Sequence, residues 1–147
     1  MGGKLHLMKL SVGTESVDSL AAWQAGLIER NRAAGIGPYP THVTRMWPRR
    51  EAEVLDGGSI YWVIKGVVQC RQRIERLDER FGADGIRRCA LVLDPQLHRT
   101  QTQPRRAFQG WRYLKPEDAP ADRGPYVPGE EDLPEALVQD LAAFGVL

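Results

Sequence analysis

The stretch of residues 59–94 most constrains the fold. Three β patterns follow one another there, at 59–65, 67–77 and 86–94, separated only by Gly66 and by the turn-rich segment 81–85. In the second pattern Val68, Cys70 and Ile74 alternate with Gln69, Arg71 and Arg73, so one face reads as core and the other as basic. The first alternates Ile60, Trp62 and Ile64 with Tyr61, Val63 and Lys65, and the third sets Cys89, Leu91 and Leu93 against Ile86, Arg88, Ala90 and Val92. A mostly antiparallel sheet at the centre of the chain is the expectation.

The flanks add helices and further strands. Residues 5–10 form a strand pattern with apolar groups on both faces, as an interior strand requires. Ser16 is placed to cap a helix whose Leu20, Trp23 and Leu27 recur at helical spacing, with Gly35 to close it. A short strand is expected at 41–47, a short helix from Pro48 through Leu55, and a last strand at 108–115 after a turn-like stretch at 101–106. Residues 116–132 are rich in Pro and Gly and read as an irregular surface crossing. Asp132 then caps a helix at 133–144 that carries the apolar stripe Leu133, Leu137, Leu141 and Phe144 and should dock on the body or on a second copy. With 147 residues and 42% hydrophobic content the chain reads as one domain, 1–147, that needs no disulfide or metal to fold.

Charge is unevenly distributed. Residues 41–115 hold fifteen Lys and Arg against eight acids, and residues 116–147 hold one against eight. A basic body with an acidic tail suggests a surface that faces a polyanion, or internal pairing of tail with body. The opening carries Lys4, His6 and Lys9 within its apolar stretch, which does not suit a signal peptide, and the longest apolar run is too short for a membrane span, so a cytoplasmic location is expected.

No nucleotide-loop, zinc-protease or serine-hydrolase motif is present, and His6, His42 and His98 are too scattered for a local metal site, so neither a metal nor a cofactor is implied. Cys70 and Cys89 fall on inferred core faces and read as inert thiols. Aromatic and basic residues are interleaved instead: Trp47, Tyr61, Trp62, Trp111 and Tyr113 with Arg45, Lys65, Arg71, Arg73 and Arg112. Single-stranded nucleic acid is bound by such a mixture, because bases stack on rings while cations neutralise phosphate. Arg105 and Arg106 extend the basic group toward Gly110 and Trp111, where a flat ligand has room to enter.

The runs HVTRMWPRR, DGGSIYWVIKGVVQCRQRI, GIRRCALVLDP and FQGWRYLKPEDAP, with the opening LHLMKLSVG, resemble the bacterial family known as domain of unknown function 1489. That resemblance covers nearly the whole chain and implies a small cytoplasmic protein, with no activity to carry over. The order DGG, strand SIYWVIKG, strand VVQCRQRIERLD is similar to PUA-like domains of the ASCH and EVE branches, which bind RNA or modified nucleobases. The Lys-x-x-Thr pair of the hydrolase branch is absent.

The resulting expectation is an α/β protein of α+β type, a small, mostly antiparallel PUA-like β-barrel with flanking helices. It would bind RNA or a modified nucleobase as a monomer or weak homodimer. Arg45, Lys65, Arg71, Arg73, Arg105, Arg106 and Arg112 are the expected contacts to nucleic acid, with Trp47, Trp62 and Trp111 as stacking platforms. A small hydrolase built on Lys65, Glu75 and His42, and an adaptor that self-associates through its C-terminal helix, are the alternatives.

Overall fold

The computed structural model describes residues 4–128. In chain order its elements are β1 (His6–Leu10), α1 (Val17–Ala33), β2 (Thr41–Thr44), α2 (Glu51–Val54), β3 (Ser59–Ile64), β4 (Val67–Phe81), β5 (Arg87–Pro104), β6 (Trp111–Leu114), a 3-10 turn (Pro116–Asp118) and β7 (Asp122–Pro125). All seven strands belong to one sheet of order β2-β5-β4-β3-β1-β6, with β7 also paired to β5. Only β1 and β3 run parallel, joined by a crossover that contains α1, and every other pairing is antiparallel.

Local chemistry explains the element boundaries. Ser16 and Ser19 cap α1 reciprocally, each backbone N–H donating to the other's hydroxyl at 3.0 Å, an arrangement worth about 1 kcal/mol. Between β3 and β4, Lys65 and Gly66 take φ of 52° and 79°, the two left-handed positions of a type I′ hairpin turn. Gly58 joins α2 to β3 where a Cβ would lie 2.2 Å from the Leu5 carbonyl oxygen, so only glycine fits.

The sheet is open, not a closed barrel: among the described residues β2 and β6 end the strand order without pairing to each other. It is nevertheless strongly curled. Three strand spacings of about 4.8 Å separate β2 from β3 in a flat sheet, yet the rings of His42 on β2 and Trp62 on β3 meet edge to face at 5.7 Å. Bulges in the β4–β5 ribbon, where the register shifts three times, supply the bend.

The concave face holds the main core, which includes Leu5, Leu7, Ile60, Ile64, Cys70, Ile74, Cys89, Leu91 and Leu93 under Val17 and Leu20 of α1. The opposite face carries a smaller cluster of Met8, Tyr61, Val63, Val68 and Leu114. β1 is thus buried on both sides, as its sequence implies.

Four expectations change. Val68 does not share a face with Cys70 and Ile74, because Gln69 forms a bulge opposite the Trp62–Val63 step and donates to the Ile64 carbonyl at 2.9 Å. On α1 the buried residues are Val17, Leu20 and Gln24, whereas Trp23 is 58% exposed. β5 continues through 101–104, which its sequence presents as a turn, because β4 pairs with it there, Val67 with Pro104 and Val68 with Gln103. The segment 116–132 is not wholly irregular: Pro116 starts a 3-10 turn, and β7 pairs with β5, its terminal Pro125 opposite His98. The expected helix at 133–144 lies outside the described residues.

Gln24 faces inward because it meets Gln72, which is fully buried on β4. The two amides pair reciprocally, at 2.9 and 2.6 Å, and Gln72 also accepts from Trp62 Nε1 at 3.2 Å and donates to the Asp94 carbonyl at 2.8 Å. Every hydrogen-bonding position of the Gln72 amide is therefore used.

Gln72→Leu, which orphans three buried partners, is expected to destabilise the protein by about 3 kcal/mol in urea unfolding. Gln24→Leu/Gln72→Leu together should cost at least ~1 kcal/mol less than the sum of the single changes. Strict additivity would show that the pair is not coupled. Lys65→Asn, better suited to a left-handed turn position, should stabilise by about 0.5 kcal/mol in the same assay.

Candidate binding cleft

The curl of the sheet and the tilt of α1 leave a cleft of about 670 Å³ on the concave face. Trp62 and Leu93 come from the sheet, His42 and Thr41 from β2, Trp23, Gln24 and Leu27 from α1, and Lys9 from β1. The β1–α1 loop, with Gly13 at φ 84°, closes one end. Lys9 reaches this face because it lies two residues beyond Leu7, on the same side of β1, and pairs in register with Trp62.

Three features give the cleft its chemistry. Trp62 is only 4% exposed and its indole N–H is held by Gln72, so its ring orientation is fixed by the same amide that fastens α1. His42 is pushed down from the ordinary 6.5 to about 4, by burial first and the nearby Lys9 charge second, and is neutral at pH 7. Its Nε2 is buried without a hydrogen-bond partner among the described residues, an arrangement that costs about 1–3 kcal/mol until something supplies one. Burial also lowers Lys9, and no carboxylate lines the cleft among the described residues. The result is an apolar, aromatic slot with one cation and one unsatisfied imidazole nitrogen.

The residues singled out in the sequence are distributed differently. Of the three expected stacking platforms only Trp62 lines the cleft. Trp111 is a core residue, 4% exposed, with its indole N–H donated to the Met46 carbonyl at 2.8 Å and its ring against Tyr113. Unlike Trp62, which is as deeply covered but borders the cleft, Trp111 lines no part of it. Trp47 is half-buried beneath the Arg87 guanidinium at 4.3 Å.

Most of the expected phosphate contacts lie elsewhere on the molecule. Lys65 occupies the β3–β4 turn, and Arg45 is an exposed partner of Asp84 at 4.0 Å. Arg71 forks onto Asp122 at 2.8 and 2.6 Å. Arg73 and Arg106 are exposed, Arg105 lies against the Met8 sulfur at 3.3 Å, and Arg112 covers Phe108. The supposed basic face of β4 is therefore broken: Gln69 is buried in its bulge and Arg71 is paired. Neither Lys65 nor Glu75 joins His42 in the cleft, so the expected hydrolase group is not assembled. Cys89 is buried and its thiol is pushed up to about 11, which keeps it protonated.

A family model described as "Protein of unknown function (DUF1489)" matches residues 7–147, nearly the whole chain. The chain belongs to the DUF1489 family. No curated protein and no solved structure matches it. Among the described residues of this DUF1489 protein, no group of three or more His, Cys, Asp or Glu is placed to hold a metal ion, and no helix is long and apolar enough to cross a membrane.

Sequence reasoning missed Lys9, Trp23 and Gln24 as cleft residues. A lysine within the apolar run Leu7–Met8–Lys9–Leu10 was the available signal, since a charge inside an interior strand needs a reason to be there.

The lowered histidine makes stability depend on pH. His42, and His6 on the opposite face, which burial likewise lowers to about 4, are neutral in the folded protein but take up a proton near 6.5 when unfolded. Stability should be full above about pH 6.5 and fall as the pH drops toward 4, by at most about 1.4 kcal/mol per pH unit for each imidazole. Urea unfolding across this range should show that slope, and His42→Gln should reduce it by roughly half, leaving the His6 contribution. An unchanged slope in His42→Gln would place the proton uptake elsewhere.

Proposed function

We propose that the chain is a cytoplasmic, PUA-like binding module that takes one flat, oxygen-rich nucleobase, free or displayed on single-stranded RNA, into the cleft between α1 and the sheet. The observation that carries this reading is the conjunction of a Trp62 ring fixed by Gln72 with a His42 Nε2 and a Lys9 that have no partner among the described residues. A heterocycle offers each what it lacks. Its π-face stacks on an indole, its ring edge can meet the imidazole nitrogen, and a carbonyl or phosphate oxygen can accept from the lysine. Leu20, Leu27 and Leu93 supply apolar walls that favour a planar ligand over a sugar or a peptide backbone.

The arginines support a modest role for the phosphate backbone. Arg45, Arg50, Arg71, Arg76, Arg87 and Arg88 all face carboxylates. Recognition of a base thus dominates over recognition of the strand, and the protein acts as a monomer or weak homodimer with one ligand per chain.

The four indole N–H resonances provide the test. Titration with nucleosides and short single-stranded RNA should move the Trp23 and Trp62 signals and leave Trp47 and Trp111 in place. Lys9→Gln and Trp23→Ala should each weaken binding about tenfold, a loss of about 1.4 kcal/mol. Nucleoside binding should be nearly independent of salt, whereas an oligonucleotide should show a slope of about −0.7 for each phosphate contacted. No movement of Trp62 with any base at millimolar concentration, or movement centred on Trp111, would overturn the reading.

A further inference from the structure

On the opposite, convex face a second group of polar side chains converges without serving the cleft. Lys4, His6, Ser59, Tyr61, Arg71 and Asp122 surround a pocket of about 250 Å³. Pro116, Ala119 and Pro120 of the chain leading to β7 complete its wall. The volume suits a single small group.

The hydrogen bonds define what the pocket offers. The Ser59 backbone N–H donates to His6 Nδ1 at 3.0 Å, so the imidazole proton sits on Nε2 and is available to donate. Arg71 Nη1 donates to Ser59 Oγ at 2.9 Å, which leaves the serine proton free to point elsewhere. His6, Ser59 and Tyr61 are each at most 5% exposed and belong to the strands at the middle of the sheet, so their positions are rigid. Among the described residues one acid, Asp122, stands against these donors, forked onto Arg71. Two cations and one carboxylate leave the pocket positive, and the charges of Lys4 and Arg71 add to burial in keeping His6 neutral.

Asp122 occupies the Arg71 fork in the geometry by which a guanidinium binds any bidentate oxyanion. It stands at the start of β7, a four-residue strand paired to β5 through a register irregularity. The acid is thus carried by a short, replaceable element, whereas the donors are carried by the core of the sheet.

We propose that this pocket is an oxyanion site that takes a phosphate or carboxylate group on Arg71, Ser59, His6 and Lys4, and that Asp122 competes with that group for Arg71. The pocket is separate from the base cleft: the two lie on opposite faces of the sheet and share no lining residue. The inference therefore stands or falls independently of nucleobase binding.

The full chain is titrated with inorganic phosphate and, separately, with acetate at constant ionic strength, and the His6 ring and Arg71 Nε–H resonances are followed. Both should move together, with phosphate alone assigning a phosphoryl ligand and acetate alone a carboxylate ligand. Asp122→Asn should tighten binding roughly three- to tenfold, because a competing charged acceptor is removed. Arg71→Gln should abolish it. Ser59→Ala, which leaves the Arg71–Asp122 pair in place, should weaken it and decides the matter if Arg71→Gln does not fold. Failure of both anions to move His6 and Arg71, or equal affinity of wild type and Asp122→Asn, would overturn the proposal.

Discussion

The reciprocal amide pair between Gln24 and Gln72 is the contact on which the rest of the molecule depends. A helix laid across a curled sheet can slide or rotate if only apolar groups hold it, because apolar contact is not directional. Two buried amides that satisfy each other in one geometry remove that freedom. Here they set the rotation of α1, leave Trp23 at the rim of a cleft instead of within the core, and lock the Trp62 indole through the same oxygen. The position of the helix and the orientation of the cleft's main ring are one constraint.

That constraint accounts for what the sequence did and did not reveal. The order of strands and helices could be read from periodicity and turn chemistry, with β1, α1, β3 and β4 starting within a residue of the expected places. The fine assignment of faces could not, because a single bulge at Gln69 shifts the alternation of β4 by one. The bulge moves Val68 to the other face, while beyond it Gln72 shares the buried face of Cys70 and Ile74 although the arginines on either side give the stretch a polar look. Gln24 is hidden in the same way on α1, where the apolar spacing favours Trp23.

The cleft was still less legible. Its residues are drawn from β1, the loop after it, α1, β2, β3 and β5, and they meet because the sheet curls until β2 reaches β3. Curvature set by bulges leaves little trace in composition. The basic middle of the chain was misleading for a related reason: charge counted along a sequence ignores the carboxylates that fold beside it. Six of its arginines face acids, five of them in the same stretch and one, Arg71, on β7.

The place of β1 in the sheet has a consequence for how the chain is made. β1 has β3 as one neighbour and β6 as the other, the latter about a hundred residues later in synthesis. Until residues 111–114 emerge, one edge of an otherwise apolar strand has no partner. The β3–β4–β5 meander, joined by tight turns, can assemble meanwhile from local contacts, whereas pairing of β1 with β6 must wait for residues 111–114. The nascent chain therefore carries an exposed strand edge from the emergence of β1 to that of β6, an interval in which a holding chaperone is most useful to it.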